Sequence, residues 1–207
     1  MGIWAFLSGT FHLLGACSAA ALAVWILSHR ERMDRPAIPV VVALSFSASW
    51  AICAAAFGAG SAGTALAESF RNLAWLYVVW RLFQADGRND LVKPIRPMIA
   101  VLVVVELLQA TSLIVLHHLI PAAFSRESVF MASVALRLFM TIGGLVLVHN
   151  LYSGATAKAR LALRWPASAL AVLWLYDLNL YTVAYLGVMW PAELAAQCGQ
   201  RGRRRRF

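Results

Sequence analysis

The sequence has 207 residues, of which 61% are apolar and 13% are charged, and its net charge is +9 at neutral pH. Soluble globular domains carry about 25% charged residues, and the mean hydropathy here is +0.72, so composition excludes an ordinary soluble protein and indicates an integral membrane protein. The basic residues lie at the ends of apolar segments and form no folded basic face. This distribution excludes nucleic acid as a partner and indicates membrane lipids.

Six apolar runs predict an all-α bundle of six transmembrane helices. Each run is long enough to cross about 30 Å of hydrocarbon at about 1.5 Å per residue. The first run has no basic segment before it and is too long for a signal-peptide core, so we expect it to be retained. We assign residues 1–196 to one membrane domain, with spans at about 3–27, 37–58, 67–84, 98–118, 129–149 and 166–189.

The distribution of Lys and Arg predicts the orientation of the bundle. Ten basic residues lie in or beside the first, third and fifth loops, whereas the opposite loops hold only Arg126. Because cytoplasmic loops are enriched in Lys and Arg, we expect the amino terminus outside and the odd-numbered loops in the cytoplasm. The ten residues are Arg30, Arg32, Arg35, Arg81, Arg88, Lys93, Arg96, Lys158, Arg160 and Arg164.

The carboxyl-terminal segment 197–207 contradicts this orientation. It carries five arginines, and six crossings from an outside start would place it outside. A lipid-binding tail, a miscounted helix and a frame-shifted end of a truncated chain would each account for it. The abrupt change to arginine-rich low complexity favours the last, so we expect a disordered or frame-shifted tail.

Three ionisable residues are predicted near the middle of the bilayer: Glu106 in the fourth span, Arg137 in the fifth and Asp177 in the sixth. Charges at this depth are rare and normally pair with one another. We therefore predict that Arg137 lies between the two carboxylates. Glu68 and Arg71 form a second pair near the outer end of the third span, because residues at i and i+3 share a helix face. We consider three interpretations of these intramembrane charges, in order of preference: a structural clamp between helices, a signal-sensitive polar network, and a proton or ion pathway.

Cysteine and histidine positions predict no metal site and no cofactor. The cysteines show no paired spacing, and two adjacent histidines on a helix point in different directions. Gly143 and Gly144 in the fifth span indicate close helix approach or a local bend. The residues considered were Cys17, Cys53, Cys198, His12, His117, His118 and His149.

Three stretches carry a family resemblance: "ESFRNLAWLYVVWRLF" at 68–83, "LVHNLYSGATAKARLALRWP" at 147–166 and "LAVLWLYDLNLYTVAYL" at 170–186. Together they are similar to the amino-terminal multi-pass region of the PEP-CTERM/exosortase-associated membrane histidine kinases, the PrsK family. The resemblance covers most of residues 60–196. The positions that match the family's motif are Glu68, Arg71, Trp75, His149, Asn150, Tyr152, Asp177 and Tyr181.

The resemblance implies the input region of a two-component sensor that controls exopolysaccharide and PEP-CTERM protein genes. It also implies a homodimer in the full-length family, with a response regulator reached through a kinase core. This sequence contains no phosphoacceptor or ATP-binding motif, so we expect a chain that lacks the catalytic core, has no catalytic residue and is inactive alone as an enzyme. The alternative is a small transporter or channel that uses Glu106, Arg137 and Asp177. An intramembrane enzyme is disfavoured, since the serine of "LSGT" (7–10) and His149 are placed at opposite membrane faces.

Overall fold

The fold is an all-α arrangement. The computed structural model describes residues 3–29, 37–58, 60–85, 89–119 and 126–187, and within these ranges it contains helices and turns but no strand. In chain order, the helices are α1 (Ile3–Ser28), α2 (Ala37–Phe57), α3 (Ala62–Ala85), α4 (Asn89–Leu119), α5 (Arg126–Ser153) and α6 (Ala157–Gly187). Each predicted span overlaps one of these six helices.

Two helices begin well before their predicted spans. Helix α4 begins at Asn89 and α6 at Ala157, so most of the polar segments 84–97 and 152–164 are helical extensions rather than loops. The prediction placed the helix ends where hydrophobicity falls. A helix instead ends where its terminal N–H and C=O groups can form hydrogen bonds outside the helix. Pro166 therefore lies inside α6, as prolines in membrane helices often do because neighbouring groups compensate for the lost hydrogen bond.

A tight turn joins α2 to α3. Gly58 adopts a left-handed backbone with φ of 82°, and its N–H donates to the carbonyl of Ala54 at 3.1 Å, which is the glycine-terminated helix end favoured by the missing Cβ. Ser61 then caps α3, since its hydroxyl accepts from the Thr64 N–H at 3.2 Å. The uncharged segment of small residues thus reverses the direction of the chain over a short distance. As a result, α2 and α3 pack against each other.

A second tight turn joins α5 to α6. Thr156 caps α6 by accepting from the Ala159 N–H at 3.3 Å. Arg160 reaches back and donates to the carbonyls of Ser153 and Ala155, both at 3.0 Å. A cation on carbonyls at a helix carboxyl end is favourable, and this contact holds the two helices as a hairpin.

The main apolar core is formed by α3, α4, α5 and α6. Its largest fully buried side chain is Trp174 of α6, and the same cluster contains Leu76 of α3, Leu102 of α4 and Leu147 of α5. Helices α1 and α2 form a smaller cluster that reaches α3 through Trp75. The core thus places α3 between the α1–α2 pair and the other three helices.

Among the helices that the structure describes, five are long and apolar enough to cross a membrane, namely all except α3. Large apolar side chains such as Phe11, Val172 and Leu186 are exposed, whereas five charged residues within the helices are buried, namely Glu68, Arg71, Glu106, Arg137 and Asp177. This inversion is typical of a multi-pass membrane protein, whose surface faces lipid. Helix α3 carries Glu68, Arg71 and Arg81. The crossing of α3 and the outside amino terminus stay predictions.

Several predictions concern residues outside the described part of the chain. They include the tail at 197–207, with Cys198, and the first-loop arginines Arg30, Arg32 and Arg35, together with Arg88. The side chains of His117, His118, Arg126, Lys93 and Lys158 also lie outside the description.

Candidate functional site

The candidate site begins with the inner face of α3. Glu68, Arg71 and Asn72 stand at i, i+3 and i+4, so they share one face of the helix, and each is at most 5% exposed. Phe70 and Tyr77 on other faces are about half exposed, at 51% and 52%. The third helix therefore presents these three polar groups to the interior and the rings of Phe70 and Tyr77 outward, the arrangement required of a polar helix in lipid.

Glu68 is the acceptor on which three helices converge. Its Oε1 lies 2.6 Å from Nη1 of Arg137 on α5 and 3.7 Å from Nη2 of Arg71 on its own helix. The hydroxyl of Tyr181 on α6 donates to the same oxygen. One carboxylate thus links α3, α5 and α6 through charge-assisted contacts, which are the strong class of hydrogen bond.

Arg71 is the second centre and is fully buried. Its Nη2 lies 2.5 Å from Oδ2 of Asp177 on α6, and the same nitrogen donates to Oδ1 of Asn72 at 3.2 Å. The guanidinium carbon stands 4.4 Å from the ring centroid of Trp50 on α2, within cation–π range. Arg71 therefore connects α2, α3 and α6.

Arg137 does not form the predicted bridge between Glu106 and Asp177. Its ion pair is with Glu68, and it also donates to the Tyr181 hydroxyl and the Ala65 carbonyl, each at 3.3 Å. Asp177 pairs instead with an arginine of α3. The prediction assumed that helices adjacent in sequence supply each other's partners, but α3 packs against α5 and brings its own cation and acid.

Glu106 has a neutral partner. Asn72 donates through Nδ2 to its Oε1 at 2.9 Å, and Oε2 has no hydrogen-bond partner among the described residues. Gln109, one turn later on α4, donates to the Ser133 hydroxyl of α5 at 2.5 Å. The buried cluster therefore contains three carboxyl groups but two guanidiniums, and Glu106 is the acid without a direct cation.

The network is only partly satisfied by the described residues. Arg71 Nη1 and Asp177 Oδ1 are buried without a partner there, as is Glu106 Oε2. A buried polar atom without a partner costs about 1–3 kcal/mol, and a partly satisfied network is less rigid than a complete one. Arg71 Nη1 could donate a further hydrogen bond, and Glu106 Oε2 and Asp177 Oδ1 could each accept one.

The remaining motif positions do not join the network. Trp75 lies on α3, where its indole N–H donates to the Ser47 hydroxyl of α2 at 3.0 Å. His149 and Tyr152 are exposed and Asn150 is half-buried near the end of α5. His149 is twelve positions after Arg137 on the same helix, which is about 18 Å along the axis. These three residues mark the other end of the bundle.

Sequence reasoning missed two members of the cluster, Asn72 and Trp50. Asn72 could have been found, since it stands four residues after Glu68 on the same helix face. Trp50 carries no local signal, because an aromatic residue in an apolar span is ordinary. Within the described ranges, no group of three or more His, Cys, Asp and Glu residues could hold a metal ion, and Cys17 and Cys53 are free thiols.

Comparison of the chain with family models, with curated proteins and with solved structures found no match.

Proposed function

We propose that the chain is the membrane input region of a two-component sensor of the PEP-CTERM/exopolysaccharide type. The observation that carries this proposal is the convergence of the motif positions. Glu68 and Arg71 come from the first family-like stretch, Asp177 and Tyr181 come from the third, and all four are in direct contact in the buried network. Residues that resemble one family's motif at distant points of the chain thus form a single physical unit.

The network supports a mechanism based on helix displacement. It ties α3 to α5 and α6 through Glu68 and Arg71, and both arginines are shared between competing acceptors. A small shift of one helix exchanges these partners, and packed interfaces convert small shifts into discrete rearrangements. In this mechanism the bundle performs no chemistry, and phosphate transfer belongs to a kinase core that acts on a response regulator.

The family resemblance extends the proposal to the setting of the protein. The sensor would lie in a bacterial inner membrane, with its amino terminus outside and lipids around it. It would act as a homodimer once joined to its kinase core. The exposed residues His149 and Tyr152 at the end of α5 are the motif positions available for contacts on the cytoplasmic side.

Deletion of the gene in its native host tests the proposal. We expect transcripts of exopolysaccharide genes to change on deletion and to recover with the wild-type gene. Arg71→Gln should fail to restore them, because Arg71 is fully buried and pairs with Asp177. Arg81→Gln is the matched control, since Arg81 lies on the same helix, is half-buried and is outside the network. Unchanged transcripts on deletion, with the protein present at normal level in the parent, would contradict the sensor.

A small transporter or channel is the second candidate, and the position of Glu106 favours it. A buried acid with only a neutral partner, inside a helix apolar enough to span the membrane, is typical of proton or ion pathways. Proteoliposomes containing the 207-residue chain decide between the candidates. Ion flux that is abolished by Glu106→Gln or Asp177→Asn, with exopolysaccharide transcripts unaffected, would establish transport instead.

A further inference from the structure

The side chain of Glu106 is buried in the apolar part of α4, where this helix packs against α3 and α5. It is 1% exposed. Its Oε1 accepts from Nδ2 of Asn72 at 2.9 Å, and its Oε2 has no partner among the described residues. The ion pairs of the two buried arginines are made with other acids. An ionised carboxylate without a cation is so costly in such surroundings that the group normally takes up a proton.

The charge balance of the buried cluster also calls for one proton. Three carboxylates and two guanidiniums would sum to a net charge of −1 inside the bundle. Glu68 and Asp177 each lie against an arginine, at 2.6 Å and 2.5 Å, so both are compensated in their ionised form. A proton on Glu106 makes the cluster neutral without disturbing either ion pair, whereas a proton on one of the other two acids would leave an arginine poorly compensated.

Ser69 provides a partner for this proton. It stands three residues before Asn72 on α3, so the two side chains share a helix face, and both lie beside Glu106. Ser69 is 1% exposed, and its hydroxyl oxygen is buried without a hydrogen-bond partner in the described part of the chain. A protonated carboxyl group donates and a hydroxyl oxygen accepts. Ser69 could also donate to a carboxylate, so the charge balance, not this hydrogen bond, selects the protonated form.

We propose that Glu106 is a proton-binding site, in which Oε2 carries a proton and donates it to Oγ of Ser69 while Oε1 accepts from Asn72. Release breaks the bond between Oε2 and the proton, transfers the proton to water and leaves Glu106 as a carboxylate. The site holds a single proton, and the proposal includes no transport across the membrane.

The groups around Glu106 determine what proton release does to the bundle. The carboxylate of Glu106 would be attracted through space by Arg137 of α5 and repelled by Glu68 of α3. It would thus compete with Glu68 for Arg137 and weaken the contact between α3 and α5. The remaining titratable groups of the cluster contact one another or Glu68, and they are Arg71 of α3 and Asp177 and Tyr181 of α6. As a regulator of the proposed input function, the proton rests on that proposal, whereas its binding does not.

Infrared spectroscopy of the purified 207-residue protein tests the site, in dodecyl maltoside because this detergent has no carbonyl group. At neutral pH we expect a C=O band of a protonated carboxyl group in the wild type and its loss in Glu106→Gln. Ser69→Ala should move the band to higher frequency, because the carboxyl group then lacks its acceptor. Ser45→Ala is the matched control, since Ser45 is exposed and bonds to the Val41 carbonyl of its own helix at 2.9 Å. It should leave the band in place.

Three results of the infrared experiment would overturn the proposal. The first is a wild type without the band, and the second is a band that persists in Glu106→Gln. The third is a band that is lost in Glu106→Gln but is not moved by Ser69→Ala. This last result would place the proton on Glu68 or Asp177.

Unfolding by SDS at a series of pH values tests the same site through stability. The unfolded chain exposes Glu106 to water, where it is ionised at neutral pH, so the folded wild type binds one proton more. Its unfolding equilibrium constant should therefore rise with pH, by up to about tenfold per pH unit above neutrality. Glu106→Gln has no proton to release and should lack this rise. The same pH dependence in both proteins would contradict the proposal.

The two proposals fail separately. Absence of the carboxyl band would leave the transcript response to Arg71→Gln intact and would remove only the regulation by a proton. A deletion that leaves transcripts unchanged would remove the sensor function, while the effects of Glu106→Gln and Ser69→Ala on the band would still locate the proton.

Discussion

At the scale of single residues, the protein is organised around one carboxylate. Glu68 contacts both buried arginines and the Tyr181 hydroxyl, so it neutralises charge that would otherwise be prohibitive in hydrocarbon. Asp177 has one guanidinium partner and Glu106 has none in direct contact. The three carboxyl groups are therefore almost equally buried, but they differ in the number of cations that each contacts directly.

We predict that Glu68→Gln lowers the free energy of unfolding by about 3–5 kcal/mol, the usual cost of leaving a buried charge uncompensated. Adding Arg137→Gln should restore part of the loss, because the unpaired cation is removed as well. The coupling energy between the two substitutions should be about 0.5–3 kcal/mol. Unfolding of the four variants in detergent, with SDS as denaturant, measures it.

Glu106→Gln is the control for this cycle. Its amide oxygen can still accept from Asn72, so stability should change by less than about 1 kcal/mol. The pair Glu106→Gln and Arg137→Gln should couple more weakly than the pair Glu68→Gln and Arg137→Gln, because Glu106 and Arg137 attract each other only through space, without a direct contact. A loss at Glu106 as large as that at Glu68, or strong coupling of Glu106 to Arg137, would contradict the assignment of partners.

The pairing itself could not be read from the sequence. Depth in an apolar run identifies Glu106, Arg137 and Asp177 as intramembrane charges, because the alternation of spans and loops is visible in composition. The partner of a charge depends on how neighbouring helices are rotated and how closely they approach. These are tertiary quantities, and here they bring Arg71 of α3 to Asp177 of α6.

At the scale of elements, two consecutive glycines set the distance between α5 and its neighbours. A Cβ at Gly143 would lie 2.5 Å from a methyl carbon of Leu102 on α4, and a Cβ at Gly144 would lie 2.6 Å from the Trp174 ring on α6. Small residues permit such close approach between membrane helices. The sequence predicted this use of the pair, but only the packing shows which helix each glycine faces.

We predict that Gly144→Ala destabilises the bundle more than Gly143→Ala. The Trp174 ring is rigid and fully buried, whereas the clash at Gly143 is with the flexible end of a leucine. Overpacking of this kind costs about 1–3 kcal/mol, and we place Gly144→Ala at the upper end. Thermal unfolding in detergent measures both, with Gly63→Ala as the control because a Cβ there meets nothing within 4 Å. Equal effects at positions 144 and 63 would contradict the packing.

At the scale of the whole molecule, α3 is the unusual element. It carries two buried charges on one face, whereas α4, α5 and α6 carry one each. Among the described helices, α3 is also the one that is not apolar enough to be recognised as a span. A helix of this kind is stable in lipid only when surrounding helices cover its polar face. The other helices thus shield the polar face of α3 from lipid, which its own residues could not do.

Topology mapping with reporter fusions tests whether α3 crosses the membrane. Fusions at residues 60 and 90 flank α3 and should report opposite sides, with position 60 outside and position 90 in the cytoplasm. A fusion at residue 158 should also report the cytoplasm, as the distribution of Lys and Arg predicts. Positions 60 and 90 on the same side would show that α3 does not cross, and the six-span topology would be wrong.

The number, type and approximate position of the six helices follow from composition and periodicity, because hydrocarbon imposes a length and a polarity on every crossing segment. The same rule identifies the buried charges before any coordinates are known. Which charges meet and which helix each glycine faces depend on helix rotation and approach. Hydropathy contains no information about helix rotation or helix approach. The contacts of Glu68 with two arginines and the contact of Trp50 with Arg71 are therefore decided by the tertiary packing alone.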